Sequence, residues 1–298
     1  MGSLWKQIYR YTHPRTYRHS ENLWPHVKIK RAGEGHITAL SWHGRNIPIE
    51  DLTKLHGSHI EPIAIIATGP SVKTLDMTKL AQVATLGVNG AFSLKDQIRF
   101  SYYVIVDRDF VKNRFNIVRQ IISDKHILLF ITPHCLNDIF QTLGTEAVKC
   151  RLALVEDVRH KVYQALIEPA DYYKLSQMSD NIVLSGASHE IGFSTDIRQG
   201  IIDAGTVAYW ALQIAFFLGT KSVLLAGVDM NNFSAPRFYE SSTDIMPSLL
   251  ESNFVNLIKP SFVHASQLLR EECVQVYNLS LNSALGNEIF RKVSLNDL

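Results

Sequence analysis

Four predicted strands end in residues that can bind a small polar ligand. The first is followed by Thr68-Gly69-Pro70-Ser71, and the others end at Asn89-Gly90, Asp107-Arg108-Asp109 and Gly227-Val228-Asp229. In open α/β sheets, ligands bind outside the carboxyl ends of the strands. Four polar strand ends on one sheet edge therefore predict a polar cleft.

The turn at Gly69-Pro70-Ser71 has the features of a phosphate site. Gly69 allows close approach of the backbone, Ser71 offers a hydroxyl, and the N-terminus of a following helix would favour an anion. The turn is neither a Walker loop nor a GxGxxG fingerprint, so an ordinary turn is the alternative. Asn89-Gly90 has the same two interpretations, a ligand contact or a plain turn.

Asp107 and Asp109 form a DxD pair, the pattern with which many glycosyltransferases hold a metal ion on a nucleoside diphosphate. Two carboxylates suit Mg or Mn. The alternative is that Asp107 caps the helix predicted from Phe110. Asp229 ends a strongly apolar strand, and we expect a polar role for it.

Residues 229–248 are polar and rich in turn-forming residues, with no clear element. A long irregular segment inside a compact domain is often a functional lid. In this segment Arg237 is a candidate contact for a substrate carboxylate, with a solvent-facing loop as the alternative for both Arg237 and Glu240. His189 and His264 are candidate general bases, with structural or surface roles as the alternative.

The elements that must hold these residues alternate from about residue 60. Apolar runs predict strands at Pro62–Ala67, Thr85–Val88, Tyr102–Val106, Ile127–Thr132, Arg151–Val155, Ser222–Val228 and Val274–Leu279. Helical periodicity covers Phe110–Ile122, Thr206–Leu218 and roughly Leu249–Glu272. Continuous apolar strands separated by helices imply a mostly parallel sheet covered on both faces. We predict a Rossmann-like α/β domain at residues 58–298, a lid at about 229–248, and an N-terminal extension at residues 1–57.

Composition narrows the class of protein. The 298 residues are 46% hydrophobic, enough for one large α/β unit, and the net charge of +2 gives no nucleic-acid signature. Three widely spaced cysteines without a CxxC pair argue against a disulfide framework or a zinc site, which fits a reducing cytoplasm. No apolar run approaches the roughly 20 residues of a membrane span.

The first 31 residues carry seven Lys and Arg against one Glu, with Trp and Tyr interleaved. Such a segment suits an anionic membrane surface, because aromatic rings sit at headgroup level and cations attract acidic lipids. The alternative is a solvated arm packed on the domain.

Several segments, taken in order, resemble a known family. They are TGPSVKT, VNGA, YYVIVDRDF, GFSTDIRQG, AYWALQIAFFLGTKSVLLAGVDM, SAPRFYE, MPSLL and VYNLSLNSAL. Over roughly residues 62–290 the chain resembles the lipopolysaccharide-core transferases that add a third 3-deoxy-D-manno-octulosonic acid (Kdo) to the inner core of Gram-negative bacteria. More distantly, it is similar to bacterial CMP-sialic acid sialyltransferases with a single nucleotide-binding α/β domain.

The resemblance implies that CMP-Kdo is the donor substrate and that no cofactor is needed. A CMP-sugar carries one phosphate, so a metal clamp is less needed, and we predict no metal site. The residues that the sialyltransferase pattern places on the nucleotide, together with their cleft neighbours, are Thr68, Gly69, Pro70, Ser71, Asn89, Gly90, Asp229, Asn282 and Ser283. Thr68 stands where the sialyltransferases have an asparagine, and Asn282 and Ser283 fall on the cytidine side.

The histidine base of the sialyltransferases does not carry over cleanly, because His264 lies too close to the VYNLS segment. The resemblance therefore favours a carboxylate base, with Asp107, Asp196 and Glu240 as candidates. Tyr239 or Arg237 from the lid would assist the leaving phosphate or hold the Kdo carboxylate.

The implied acceptor is the anionic inner-core glycolipid of lipopolysaccharide, which would place the protein at the inner face of the inner membrane through its basic arm. A homo-oligomer is a candidate assembly. One alternative function is a sialyltransferase or another CMP-sugar transferase. Another is a nucleotide- or glycan-binding protein without turnover.

Overall fold

The computed structural model describes residues 2–186 and 188–297, with the side chains of residues 2, 3, 169, 178 and 189 left out. The strands are β1 Val27–Arg31, β2 Ile37–Trp42, β3 Arg45–Ile47, β4 Ile63–Ile66, β5 Ala84–Val88, β6 Tyr102–Ile105, β7 Leu128–Ile131, β8 Arg151–Leu154, β9 Ile182–Ser185, β10 Ser188–Ser194, β11 Ser222–Ala226, β12 Gln275–Asn278 and β13 Arg291–Lys292.

The α-helices are α1 Gly2–Thr12, α2 Leu52–Leu55, α3 Arg108–Asn113, α4 Phe115–Ser123, α5 Pro133–Leu143, α6 Tyr172–Met178, α7 Val207–Leu218, α8 Leu250–Asn253 and α9 Lys259–Glu271. Short 3-10 helices cover Arg15–Ser20, Pro70–Thr74, Met77–Leu80, Asn89–Leu94, Thr145–Ala147, Pro169–Asp171 and Ile197–Gln199, and a π-helical turn covers Phe254–Ile258.

Eight strands form one parallel sheet in the order β13-β12-β11-β4-β5-β6-β7-β8. Along β4, Ile63 and Ile65 face one apolar core with α7 and α9, whereas Ala64 and Ile66 face a second core with α4 and α5. This alternation buries both faces, since successive strand side chains point to opposite sides. The predicted fold class, a parallel α/β sheet with helices on both faces, is confirmed.

The N-terminal region is part of this body. Strands β1, β2 and β3 form a separate antiparallel sheet, and the side chains of Leu23, Val27 and Leu40 belong to the same apolar core as α4 and α5. Two ion pairs attach the N-terminal region to the residues at either end of the edge strand β8: Arg31 to Glu156, and Glu50 to Arg151. Residues 23–31 therefore pack on the domain, as the alternative interpretation of the first 31 residues expects.

The structure corrects several predicted elements. The helix expected at Phe110–Ile122 is two helices, because Arg114 leaves the helical conformation between α3 and α4. The helix expected at Leu249–Glu272 is α8, a π-helical turn and α9. The sequence reasoning missed α5, the β9–β10 hairpin and the N-terminal sheet. As expected, no strand or helix is assigned within residues 229–248.

Candidate active site

A cavity with a volume of about 760 Å³ lies at the carboxyl ends of the parallel strands. It touches the residues after six neighbouring strands, from β11 through β4 to β8. Chain order reverses between β4 and β11, because β5 to β8 follow on one side and β12 and β13 on the other. Such a switch point is where ligands bind in open α/β sheets.

The turn after β4 is held closely to the end of β11. Gly69 donates its N–H to the carbonyl of Gly227 at 2.9 Å, and a Cβ on Gly69 would lie 2.6 Å from that carbonyl oxygen. Gly69 is thus a site of close backbone approach, but the approaching backbone is that of β11. A five-residue 3-10 helix follows, in place of the expected helix N-terminus.

Ser71 does not offer its hydroxyl freely. Its N–H donates to Oδ2 of Asp229 at 2.9 Å, and its Oγ donates to Oδ1 of the same carboxylate. The Oγ of Ser280 lies 2.8 Å from that hydroxyl. Ser71 and Asp229 therefore fix the two strand ends against each other. Thr68, Gly69, Pro70 and Asp229 line the cavity, and Ser71 does not.

The two residues expected on the cytidine side lie next to this junction, outside the cavity lining. Ser283 is buried, and its hydroxyl donates to the carbonyl of Val228 at 2.7 Å. Asn282 is exposed, and its carbonyl accepts from Nδ2 of Asn231 at 2.5 Å. Both residues support the loop that carries Asp229.

Asn89 supplies an unused hydrogen-bonding group to the cavity. It follows β5 in a left-handed conformation, with φ of 47°, which asparagine tolerates better than most residues. Its Oδ1 is buried and has no hydrogen-bond partner in the described part of the chain. Because buried polar atoms are nearly always paired, this unpaired oxygen makes Asn89 a candidate ligand contact.

The DxD pair is divided by the local structure. Oδ1 of Asp107 accepts from the N–H groups of Asp109 and Phe110 and so caps α3, while its Oδ2 has no partner among the described residues. The side chain of Asp109 is 77% exposed and pairs with Lys112 at 3.3 Å. Within residues 2–186 and 188–297 no cluster of metal-ligating side chains was found.

Arg237 and Glu240 form the centre of the lid, and both line the cavity. The fully buried Glu240 carboxylate accepts from Nη1 and the backbone N–H of Arg237, and from the N–H of Met246. Both carboxylate oxygens are therefore occupied, which is unsuited to a general base. Nε and Nη2 of Arg237 make no hydrogen bond to a described residue and remain available to an anion.

Tyr239 closes the lid on the sheet edge. Its ring lies against Gly90, where an added Cβ would be 2.2 Å from a ring carbon. The guanidinium of Arg114 stands 5.9 Å from the ring centroid and pairs with Asp244 at 2.9 Å. The helix break at Arg114 thus directs a cation into the lid. Burial raises the pKa of Tyr239, so its hydroxyl stays protonated. Neither Gly90 nor Tyr239 lines the cavity.

Two candidate bases lie away from the cavity. Asp196 caps the 3-10 helix at Ile197 and pairs with Arg198 at 2.7 Å. Although burial acts to raise it, the hydrogen bonds from Arg198 hold the pKa of Asp196 below its ordinary value. His264 has its Nε2 3.0 Å from the carbonyl of Val183. The side chain of His189 falls outside the described part of the chain.

The structure adds residues that sequence reasoning did not select. After β8, Asp157 and His160 line the cavity, with Oδ2 of Asp157 3.2 Å from Nδ1 of His160. Arg18 and His19 of the N-terminal region line it from the other side. Their only sequence signal was the basic character of the first 31 residues.

Asp203 is a further carboxylate in the cavity wall. Its Oδ1 accepts from Nε1 of Trp210 at 2.7 Å, and burial raises its pKa. The segment carrying it is held by the fully buried Gln213, which bonds to both backbone groups of Ile202. Beside it, residues 205–208 bring the N-terminus of α7 to the cavity.

Fold and cavity together define an α/β protein with a polar cavity at the switch point of its sheet, lined in part by the irregular segment of residues 229–248. The family described as 3-deoxy-D-manno-octulosonic acid transferase WaaZ matches residues 47–295. The chain belongs to this family and is a glycosyltransferase. The predicted resemblance to the Kdo transferases is thereby confirmed.

Two relatives carry the description probable 3-deoxy-manno-octulosonic acid transferase. The protein from Escherichia coli is 22% identical over 272 residues, which cover 85% of this chain and 90% of that protein. The protein from Salmonella typhimurium is 23% identical over 256 residues, covering 80% and 88%.

Among solved structures, the chain is similar to the sialyltransferase CstII from Campylobacter jejuni in complex with a substrate analogue, cytidine-5'-monophosphate. The TM-score is 0.44 at 15% identity, with 78% of this chain and 86% of that chain covered. A structure of the sialyltransferase CST-II with a trisaccharide acceptor and CMP has a TM-score of 0.41 at 16% identity, covering 79% and 88%.

Proposed function

We propose that this protein transfers Kdo from CMP-Kdo to the inner core of lipopolysaccharide, with inversion and without a metal ion. The observation that carries the proposal is the strand-end cavity with the unpaired Oδ1 of Asn89 in its wall, in a chain that belongs to a Kdo transferase family. An amide oxygen there accepts from a donor group such as a sugar or ribose hydroxyl.

The nucleotide occupies the β11–β4–β5 part of the cavity. The switch point lies there, and the backbone at Thr68 to Pro70 lines the cavity beside it. The carbonyl of Thr68 accepts from the N–H of Phe238 at 3.2 Å, so the lid already rests on this turn. The hydroxyl of Thr68 has no partner among the described residues and is free to bind the phosphate.

Two positively polarised groups suit the two anionic groups of the donor. One is Arg237, whose Nε and Nη2 are unused. The other is the N-terminus of α7, a 12-residue helix with no side-chain cap at Thr206, where the first N–H groups lack partners within the helix. The donor phosphate and the Kdo carboxylate bind to these two groups.

The catalytic contribution of this arrangement is electrostatic. Bond breaking at the anomeric carbon leaves negative charge on the CMP phosphate, and fixed donors at the site of that charge lower the barrier. Of the three predicted carboxylate bases, Asp107 alone lies in the cavity with an oxygen that described residues do not use. Asp107 therefore contacts the donor sugar or the incoming hydroxyl.

Metal independence rests on the use of the DxD carboxylates. Asp109 is exposed and pairs with Lys112, and one oxygen of Asp107 caps a helix. A donor with one phosphate presents a smaller charge than a nucleoside diphosphate. The cationic groups of the protein are sufficient for it in this proposal.

The exposed face of α1 attaches the protein to the membrane that holds the glycolipid acceptor. No helix within the described residues is long and apolar enough to cross a membrane. On α1, Leu4 and Tyr11 are 60% and 92% exposed, seven residues apart and so on one helix face, while Tyr9 is fully buried. Exposed apolar and basic residues on one short helix fit an interfacial, inner-leaflet location.

The test measures CMP release from freshly generated CMP-Kdo, with and without inner-core lipopolysaccharide, in EDTA and in magnesium. The proposal expects acceptor-dependent release that survives EDTA. Release only with magnesium would contradict metal independence and return Asp107 and Asp109 as ligands. Turnover of CMP-sialic acid without turnover of CMP-Kdo would contradict the donor, and no release with either sugar would contradict the transferase assignment.

A further inference from the structure

We propose that His160, oriented by Asp157, is the general base that takes the proton of the acceptor hydroxyl, and that the β7–β8 end of the cavity is the acceptor subsite. The inference rests on the proposed transfer of Kdo from CMP-Kdo. It assigns a role to a pair of residues that neither the motifs nor the DxD pattern singled out.

The first argument is the width of the cavity. It spans six neighbouring strand ends, so five spacings of about 4.8 Å give a width of about 24 Å. The nucleotide and its sugar occupy the β11 to β6 part, where Asn89, Asp107 and Asp229 lie. The β7–β8 part is left for a second substrate, and Asp157 and His160 stand in its wall.

The second argument is the geometry of the pair. Oδ1 of Asp157 accepts from the N–H of Arg159 at 2.7 Å, which fixes the carboxylate. Its Oδ2 then lies 3.2 Å from Nδ1 of His160. A carboxylate that accepts from Nδ1–H leaves Nε2 as the proton acceptor, which is the arrangement of an oriented general base.

The third argument is that Nε2 is unused. Among the described residues, Nε2 of His160 has no hydrogen-bond partner, and the side chain is 42% exposed within a cavity-lining loop. In the other two histidines of the cavity lining it is Nε2 that lies at a backbone carbonyl: His134 at the carbonyl of His19, 2.9 Å, and His19 at the carbonyl of Lys161, 3.0 Å. Burial lowers the pKa of His134 to about 4, so it does not serve as a proton carrier near neutral pH.

Several charged or titratable groups share the cavity lining with His160. Asp157 and Glu156 come from its own loop, Arg18 and His19 from the N-terminal region, and Asp203 from the segment before α7. Glu156 is neutralised by Arg31 in a two-bond ion pair. Asp157 is thus the anion in direct contact with the imidazole. Arg18, whose guanidinium makes no ion pair or hydrogen bond to a described residue, stands at the side where an anionic acceptor would enter.

The transfer is a direct displacement at the anomeric carbon of Kdo. The acceptor oxygen forms a bond to the anomeric carbon of Kdo while the bond from that carbon to the phosphate oxygen breaks. The electron pair of the broken bond leaves with CMP, and the hydroxyl proton passes to Nε2 of His160. The imidazolium that results is stabilised by Asp157 and later loses the proton to solvent.

The experiment compares His160→Gln with His126→Gln. His126 is exposed and precedes β7, at the amino ends of the strands, whereas the cavity lies at their carboxyl ends. Loss of a general base typically costs about 10²–10⁴-fold, so we expect acceptor-dependent CMP release to fall at least about 100-fold in His160→Gln. CMP affinity, measured by calorimetry, should stay within about twofold of the wild type, because the donor end of the cavity is unchanged. His126→Gln should match the wild type in both measurements.

Two further measurements separate a base from a structural residue. The acid limb of the kcat/KM profile should disappear in His160→Gln, since that limb reports the free enzyme's essential base. In His160→Ala, added imidazole should restore part of the rate, whereas His126→Ala should not respond.

A His160→Gln rate within about threefold of His126→Gln would overturn the proposal, because a base removed at that site contributes far more. Parallel loss of CMP affinity and rate would also overturn it, by assigning His160 to the donor site. Failure of the wild type to release CMP from CMP-Kdo would instead contradict the proposed function, and the wild-type arm shows that outcome separately.

Discussion

Replacing Gly90 with alanine tests the closed position of the lid. The added Cβ would lie 2.2 Å from a ring carbon of Tyr239. Carbon atoms rest at about 3.5–4.0 Å, so the ring would have to move by roughly 1.5 Å. Overpacking of this kind costs about 1–3 kcal/mol. The ring is carried by the segment that also holds Arg237 and Glu240, so the displacement reaches the cavity wall.

The expected result has two parts. Each kcal/mol lowers Tm by about 2–4 °C in a domain of 150–250 residues, so a cost of about 1–3 kcal/mol should lower the Tm of Gly90→Ala by about 2–12 °C relative to the wild type. A misplacement of about 1 Å in a positioning group costs about 100-fold in rate, so acceptor-dependent CMP release should fall by one to two orders of magnitude. Differential scanning calorimetry and the CMP-release assay measure the two quantities.

Two variants make the result specific. Gly33→Ala is the matched control, because a Cβ there meets no heavy atom within 4 Å. The Tyr239→Ala change removes the ring that clashes with the added Cβ. Gly90→Ala should therefore cause no further loss of Tm when it is added to Tyr239→Ala. A Gly90→Ala protein as stable as Gly33→Ala would refute the contact between the lid ring and the strand end.

Three other outcomes follow from the structure. Asn89→Gly keeps the left-handed backbone but removes the side-chain amide. CMP affinity, measured by calorimetry, should fall about 10-fold, which corresponds to one good hydrogen bond. Unchanged affinity would show that Asn89 does not contact the nucleotide. Asp196 has a lowered folded-state pKa, so it stabilises the fold above its unfolded pKa, and this effect is lost as pH falls through the folded pKa. Asp196→Asn should destabilise by about 1.5–3 kcal/mol at pH 7 in urea unfolding, and the difference from the wild type should shrink as pH falls below the ordinary aspartate pKa of 3.8. A difference that does not change with pH would contradict the ion-pair explanation. Leu4→Ser with Tyr11→Ser should reduce co-sedimentation with anionic vesicles while leaving Tm unchanged, and undiminished sedimentation would contradict attachment through α1.

The parallel sheet was predictable because its strands are buried on both faces. Runs such as Ile63–Ile66 carry apolar residues on every position, a pattern typical of a parallel strand covered on both sides. The ends of the helices were harder to predict from the sequence. Arg114 leaves the helical conformation inside a periodic apolar pattern, and its guanidinium pairs with Asp244, 130 residues further along the chain. No local signal in the sequence contains that pairing.

The N-terminal sheet was missed for a similar reason. Val27, Ile37 and Leu40 belong to the core of the large domain, whereas Lys28, Lys30 and Thr38 on the same strands are exposed. The basic residues suggested a membrane surface, and one of them, Arg31, is instead bound to Glu156. Deletion of residues 1–31 would remove Leu23 and Val27 and expose the part of the core that they cover. Point changes on α1 are therefore the sound way to examine membrane binding.

The sequence predicted a cleft at the strand ends, and the structure has a cavity there. The sequence did not predict which side chains have their hydrogen-bonding atoms occupied by other residues. Asp229 and Glu240 have the residue types of a reactive site, and the structure shows their oxygens occupied by Ser71 and by Arg237. A carboxylate whose oxygens already accept from fixed donors holds a loop in place. Residue type and position at a strand end do not distinguish this role from a catalytic one.

Unused hydrogen-bonding capacity makes that distinction. In this cavity it belongs to Oδ1 of Asn89, Oδ2 of Asp107, the outer nitrogens of Arg237 and Nε2 of His160. A buried or half-buried polar group without a partner costs free energy that a ligand can recover on binding. In the proposed function the first three groups bind the donor, and His160 stands at the end proposed for the second substrate. The same criterion that separates Asp107 from Glu240 therefore also separates the two substrate positions along the sheet edge.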